Sequence, residues 1–400
     1  MLSLLKQEYS IILRKKTTYI LIAITIISAI LLPILSFQTF EYTFVNNTGE
    51  KIKENGISAI IKANELQKPI AGKVDSELIN ESLNVYYKSL NSQDGKINWN
   101  EEFTIYKPIN ENLLYYLIED FKERNIGKEE TINSISNNFY DLRKDIQKKG
   151  FAEILNQNEQ VYGEMLESKV DEPYTFEPHN GWDMYIMFLS YFFKISMVVS
   201  IIFISPLFTE SKENNSMDII YATKNGKMKY KIIRLFTSIS FSCLLSILGV
   251  IIYLIAGRFV LNYNGLKTSV QLIQLFSPQP INIGRLLFNV ISFGLIGVLS
   301  VSNITAYCSY KLQKGRNVGL IMIGSFIIYI ILNGLVNIPG DLGKTLFDLI
   351  PFRASDIYFI LLEGVSASKI LITLGNEKVL LFMLLLYVIV ANFKIFKCNE

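Results

Sequence analysis

The sequence predicts an all-α membrane protein: six transmembrane helices, an interfacial N-terminal helix, and a mainly helical extracellular domain between spans 1 and 2. Three observations predict it. Half of the 400 residues are apolar, mean hydropathy is +0.29 and only 19% are charged, against about 25% in soluble domains. The apolar residues arrive in blocks, several of them longer than the roughly 18 charge-free residues that mark a membrane span. Charge is also segregated. Residues 37–181 hold 16 Lys/Arg against 25 Asp/Glu, a net of −9, and the remainder holds 23 against 11, a net of +12. This pattern excludes a soluble enzyme, a disordered chain and a collagen-like chain. The basic excess requires no nucleic acid, because the cytoplasmic loops of membrane proteins are rich in Lys and Arg.

Residues 1–16, MLSLLKQEYSIILRKK, carry one apolar helical stripe of Leu2, Leu5, Tyr9, Ile12 and Leu13, with Lys6, Glu8 and Arg14 off it. Such a helix lies in the membrane interface. Residues 17–36 form span 1, free of charge and preceded by Arg14, Lys15 and Lys16, so the N-terminus is expected on the cytoplasmic side. The apolar stretch is too long for a signal peptide, and no small-x-small cleavage site follows, so it reads as an uncleaved anchor. Residues 37–181 are the acidic extracellular domain. Leu113, Leu114, Leu117, Ile118 and Phe121 fall on one helical face, and Ile132, Ile135, Phe139, Leu142 and Ile146 on another. Asp75 to Leu90 is a third helix.

Residues 182–400 supply spans 2–6. Trp182 and Tyr185 mark an interface, and span 2 runs to about Phe208. Residues 209–230 form a polar, lysine-rich cytoplasmic loop. Span 3 covers about Ile232 to Ala256, span 4 Leu286 to Tyr310, span 5 Val318 to Val336 and span 6 Val379 to Phe396. KLQKGR at 311–316 is a basic cytoplasmic turn, and 337–378 is an extracellular, partly apolar loop. This arrangement puts 15 Lys/Arg on the cytoplasmic side against seven on the short outer loops and their edges. It sets both termini in the cytoplasm of a multi-pass plasma-membrane protein. The Asn/Lys/Ile-rich usage suits a bacterial plasma membrane.

No enzyme motif is present. GxSxG and HExxH are absent and the only histidine is His179, in EPHNGW. The cysteines are Cys243, Cys308 and Cys398, with no C-x-x-C pair and none in the acidic domain. Neither a disulfide framework nor a zinc or haem site is expected. Gly343-Lys344-Thr345 ends like a phosphate-binding loop, but the motif needs glycine where Ile338 stands. ATP hydrolysis is therefore not expected in this chain.

The spans carry no acid in their interiors, which counts against ion-coupled transport. Lys194 is the exceptional charge, about 16 Å into span 2 at 1.5 Å per residue. Two readings of it stay open, a functional site inside the membrane or a side chain snorkelling outward. With Asn289, Asn303 and Asn333, it is a candidate lining for a translocation path, although such asparagines more often bond across helices. Ser196, Ser200, Ser238, Ser242, Ser246, Gly249, Gly294 and Gly297 allow close helix packing.

The loop after span 2 is the most informative segment. Glu210 and Glu213 open it, Met217, Ile219, Ile220 and Tyr221 form an apolar cluster, and a turn at Asn225-Gly226 leads into a lysine run. A short amphipathic element held under the membrane suits docking of a cytoplasmic partner. In this it resembles the permeases of ABC type-2 exporters, in which an acidic residue ends the second span, a short coupling segment follows, and a basic turn precedes the third. The N-terminal helix, the six spans, the large outer domain and the semi-apolar stretch TLFDLIPFRASDIYFILLEG at 345–364 share that layout. The resemblance implies a permease subunit that binds a separate cytoplasmic ATPase, which would hold the ATP and Mg, and pairs with a second permease copy or paralogue. It also implies re-entrant helices in 345–364. Glu210 and Glu213 would make charge contacts with the ATPase, and Met217, Asp218, Ile220 and Tyr221 would fill its groove. Residues 37–181 match nothing in that layout beyond their placement. The alternative is a non-transporting binding or immunity protein whose outer domain holds a peptide. A four-span mechanotransmitting permease and a lipid-acting enzyme fit less well, the first by span count and the second for want of clustered acids or histidines.

Overall fold

The computed structural model describes residues 2–45, 50–90, 100–124, 126–154, 157–216, 222, 226–334, 347, 350–363 and 376–397. The chain is mostly helical. α1 (Leu2–Arg14) leads into α2 (Lys16–Gln38). A small-stranded and helical region follows: β1 (Glu41–Val45), β2 (Lys51–Asn55), α3 (Gly56–Leu66), β3 (Gly72–Lys73), α4 (Ser76–Ser89), α5 (Glu101–Ile109), α6 (Tyr115–Glu123), α7 (Lys128–Ile154), α8 (Gln157–Glu167) and β4 (Thr175–Phe176). Then come α9 (Trp182–Ile204), the short α10 (Thr209–Glu213), α11 (Gly226–Leu261), α12 (Ile283–Lys311), α13 (Gly315–Gly334), a 3-10 turn at Pro351–Asp356, α14 (Ile357–Glu363) and α15 (Asn376–Lys397). Among the described residues six helices are long and apolar enough to cross a membrane: α2, α9, α11, α12, α13 and α15. This is a multi-pass membrane protein.

Span 2 (α9) and span 4 (α12) form the centre of the bundle. In their apolar stretches 56% and 61% of residues are buried, against 22% in α13 and in α15, whose outer faces are left for lipid. Missing side chains allow the close approach. A Cβ at Gly294 on α12 would strike the Phe193 ring of α9, and one at Gly249 on α11 would strike Phe192. Ser200, Ser242 and Ser302 bring α9, α11 and α12 together, with Ser242 Oγ 3.2 Å from Ser302 Oγ. The packing role read from the small residues is what the structure contains.

The bundle departs from the expected boundaries at the end away from the acidic domain, here the loop end. α9 stops at Ile204 and α10 follows after a turn through Pro206, which lacks the N–H a continuing helix needs. α11 begins at Gly226, so the lysine run is helix and not loop. Its 36 residues span about 54 Å, well over the roughly 30 Å of a hydrocarbon core. Lys231 is buried there, its Nζ 3.0 Å from the Ile395 carbonyl oxygen. In α1, Glu8 sits on the packed face, 3.3 Å from Arg234, whereas Leu13 is exposed. The stripe expectation had these reversed, because a cation on a neighbouring helix outweighs local hydropathy.

The acidic domain is helical where the periodicity places helices. Leu113, Leu114, Leu117, Ile118, Phe121, Ile132, Ile135 and Phe139 are all buried in one core. α4 starts at the expected place because Asp75 caps it, accepting from the Leu78 N–H at 3.0 Å. Two features were not anticipated. Antiparallel β1–β2 and β3–β4 pairs add minor sheets. Leu272 and Leu275, from the segment between spans 3 and 4, complete the domain core. Arg143 secures that segment. Fully buried, it pairs with Glu167 and donates to the Leu275 carbonyl at 2.7 Å. Burial pulls its pKa below the ordinary arginine value. The domain therefore sits on the bundle through 262–282 as well as through its own ends. Trp182 Nε1 donates to the Asn264 carbonyl at 2.5 Å, and the Gly265 N–H to Glu177 at 3.1 Å.

Candidate functional site

Lys194 has a partner. Its Nζ lies 2.7 Å from Oδ1 of Asp356, which is fully buried. The spans carry no acid in their interiors, yet the bundle contains one, delivered by the segment between spans 5 and 6. That segment enters the bundle. A Cβ on Gly297, halfway along α12, would lie 2.6 Å from both Ala354 Cβ and Met197 Cε. Phe352, Ala354, Ile357, Tyr358, Leu361 and Leu362 belong to the main bundle core. The inward folding of this stretch, over the described residues 350–363, is in the structure. Most of the remainder of 337–378 lies outside the described residues. The cause is visible in the sequence: PFRASDIYFILL is too apolar to sit in water and too short to cross a bilayer.

A polar network grows from the pair. The Tyr329 hydroxyl donates to Asp356 Oδ2, and Asn333 Nδ2 lies 3.4 Å from the same oxygen. Arg353 donates to Asn333 Oδ1 at 2.9 Å. The Lys194 ammonium also lies 5.0 Å from the Tyr191 ring centroid, a cation–π contact. Lysine side chains in a helix lean toward its N-terminus, here toward the domain end, where Asp356 awaits. The Lys194 side chain thus leans toward the domain end of the bundle and is paired there. Further toward the domain end, Tyr358 bonds Asp183 in the first turn of α9. The inserted segment is tied to span 2 at two levels.

The other expected path residues do not gather here. Asn303 pairs with Asn392 of α15, whose Nδ2 donates at 2.9 Å. Asn289 is buried on α12 apart from both groups. Sequence reasoning missed Asp356, Tyr329, Arg353 and Asn392. Asp356 had a signal, since a lysine inside a bundle needs a counter-charge and the stretch beside span 5 holds few acids.

The second arrangement lies at the loop end. Glu210 Oε2 sits 2.6 Å from Lys15 Nζ, at the α1–α2 junction, and 3.7 Å from Arg234 on α11. Arg234 also meets Glu8. Glu213 Oε1 accepts from the Gly315 N–H at 2.8 Å, capping the start of α13. Lys212 donates to the Tyr310 and Leu312 carbonyls, the latter at 2.9 Å. Tyr9 and Ser240 bond at 2.5 Å. Glu210 and Glu213 are therefore engaged within the chain. Met217, Asp218, Ile220 and Tyr221 lie outside the described residues.

No protein-family model, curated protein or solved structure matches this chain.

Proposed function

We propose that this chain is the membrane permease subunit of an ATP-driven exporter of the ABC type-2 kind. The observation that carries the reading is the junction at Glu210. One carboxylate joins the interfacial helix and span 1 through Lys15 to span 3 through Arg234, and Glu213 three residues on reaches the start of span 5. A force applied to the short α10 is distributed over four spans at once, since α10 also joins span 2 through the turn at Pro206. That is what a receiver for a cytoplasmic motor requires.

On this reading the loop end faces the cytoplasm and the acidic domain faces out. Mg and ATP belong to a separate ATPase, two copies of which engage two permease subunits, identical or paired. Closure of the ATPase presses on α1 and on residues 209–221. Span 2 carries the motion past Lys194 to the inserted segment at Asp356, and the path opens on the domain side. This chain hydrolyses nothing.

The test is a mild-detergent pull-down of the chain from its native membrane, with mass spectrometry of co-purifying proteins. A stoichiometric P-loop ATPase is expected, and it should be lost when Glu210, Glu213 and Met217 are changed to Ala. The Glu210 pairs are about one-third exposed, so their loss costs only about 0–1 kcal/mol of stability, and loss of the ATPase reports docking, not unfolding. Recovery of the chain alone, or with only a ligand on the outer domain, overturns the proposal and favours the non-transporting binding protein.

A further inference from the structure

A cavity of about 220 Å³ opens where the outer domain meets the bundle, bordered by Lys73, Lys267 and Arg285 with Asp171 as the acid. β3, β4 with the chain just before it, the segment between spans 3 and 4, and the first turn of span 4 converge there. The cavity is smaller than the roughly 300 Å³ at which drug-sized sites begin, so it suits a compact charged group. Its rim carries three cations against one carboxylate.

Among the described residues Lys73 and Arg285 pair with no carboxylate, and Lys267 has only the distant Glu177. Lys73 Nζ donates to the Pro173 carbonyl at 3.2 Å and to Thr175 Oγ1 at 3.1 Å, which fixes the ammonium and leaves its third proton for a ligand. Lys267 is largely exposed and reaches Glu177 only at 4.0 Å. The Arg285 guanidinium lies 5.3 Å from the ring centroid of Phe288, one turn further along α12 and 57% exposed. The level is that of a membrane surface, since Arg285 stands in the first turn of an apolar spanning helix and the exposed aromatics Tyr263 and Phe288 lie at the same end of the bundle. A guanidinium fork at the rim with an exposed aromatic below it matches a phosphate above and hydrocarbon beneath.

We propose that this cavity is a binding site for a phosphate ester at the outer membrane surface, held by Arg285, Lys73 and Lys267. Two sources share that chemistry: the headgroup of an anionic phospholipid, its chains running down past Phe288, or a water-borne phosphate ester. The site does not depend on the transport reading.

The test is native mass spectrometry of the purified full chain with phosphatidylglycerol, phosphatidylcholine and glycerol 1-phosphate. Phosphatidylglycerol should bind in preference to phosphatidylcholine. Arg285→Gln should weaken it about tenfold, the scale of one charge-assisted hydrogen bond, and Lys73→Gln/Lys267→Gln should do the same. Arg258→Gln, in the last turn of span 3 but outside the cavity, is the control and should bind as wild type. Retention of the lipid against glycerol 1-phosphate supports the site with a lipid ligand. Displacement by it, or binding of it alone with the same loss in Arg285→Gln, supports the site with a water-borne one. Phosphatidylglycerol binding unchanged in both cavity variants, with no binding of glycerol 1-phosphate, overturns the proposal.

Discussion

Replacing Lys194 by Met removes the charge and keeps most of the volume, leaving Asp356 as a fully buried carboxylate without its ammonium at 2.7 Å. Removing one partner of a buried pair costs about 3–5 kcal/mol. Here the remaining carboxylate keeps the Tyr329 hydroxyl and the Asn333 amide at 3.4 Å, so the low end, about 3 kcal/mol, is expected. Lys194→Met/Asp356→Leu removes both charges and should return near wild type, because an apolar pair of similar volume is often neutral or stabilising. The coupling energy from the cycle should then exceed about 2 kcal/mol, against the roughly 0.6 kcal/mol average of interhelical polar contacts in membranes. The assay is reversible unfolding in mixed micelles by denaturing-detergent titration, run on wild type, both single variants and the double. A coupling under about 0.5 kcal/mol, or a Lys194→Met variant as stable as wild type, refutes the argument, since an ordinary neutral contact would do as much.

Gly294→Ala drives a methyl into the Phe193 ring and should cost about 1–3 kcal/mol. Gly324→Ala on α13, with nothing within 4 Å, should be neutral or stabilise by up to about 1 kcal/mol, and thermal melts of the two separate packing from helix propensity. Arg143→Met strands Glu167 and frees the Leu275 carbonyl. Hydrogen exchange should show residues 262–282 opening together with the outer domain, at a cost of about 3–5 kcal/mol. Burial holds the His179 imidazole below its ordinary pKa, so the folded group stays neutral where the unfolded one takes a proton. Its contribution is full above about pH 6.5 and declines as the pH falls below that value. A melt of wild type against His179→Gln at pH 7.5 and pH 5 should show the larger acid-induced loss in wild type.

The spans were legible because hydrocarbon imposes a length and forbids charge, and twenty residues from 17 to 36 satisfy both. The outer helices were legible because their apolar positions keep helical spacing, and the Asp75 cap marks an onset. What local pattern could not carry was pairing across distance. Leu272 and Leu275 look like loop residues until they fill the outer core. Glu8 looks like a solvent-facing residue until Arg234 arrives. Of the candidate site, Lys194 and Glu210 could be named in advance because each is a charge where charge is costly or conspicuous. Their partners could not be placed, since Asp356 and Arg234 lie 162 and 24 residues further along the chain.

Those pairings give span 2 a mechanical character that no single contact has. Asp183 and Lys194 lie on α9, at its start and near its middle, and Glu210 lies on α10, beyond the turn at Pro206. Asp183 to Ile204 covers about 30 Å at helical rise. The first two hold the inserted segment through Tyr358 and Asp356, and the third holds α1, α2 and α11. The two sets of contacts differ in strength. The Lys194–Asp356 pair is largely withdrawn from water and stiff, whereas the Glu210 contacts are part-exposed and weak. α9 is clamped over its first half, and the turn after Ile204 lets the lightly held α10 move before α9 does. Displacement applied at α10 is then absorbed first at the loop end, and reaches the inserted segment only when the push is large enough to load the buried pair. Charge-neutral Lys194→Met/Asp356→Leu should therefore keep the fold and loosen this coupling. In a paired-cysteine crosslink between Met197 and Ala354, which Gly297 brings to one level, the double variant should react more heterogeneously than wild type. Equal crosslinking would show that the apolar contacts of Phe352 and Leu361 hold the segment without the charges.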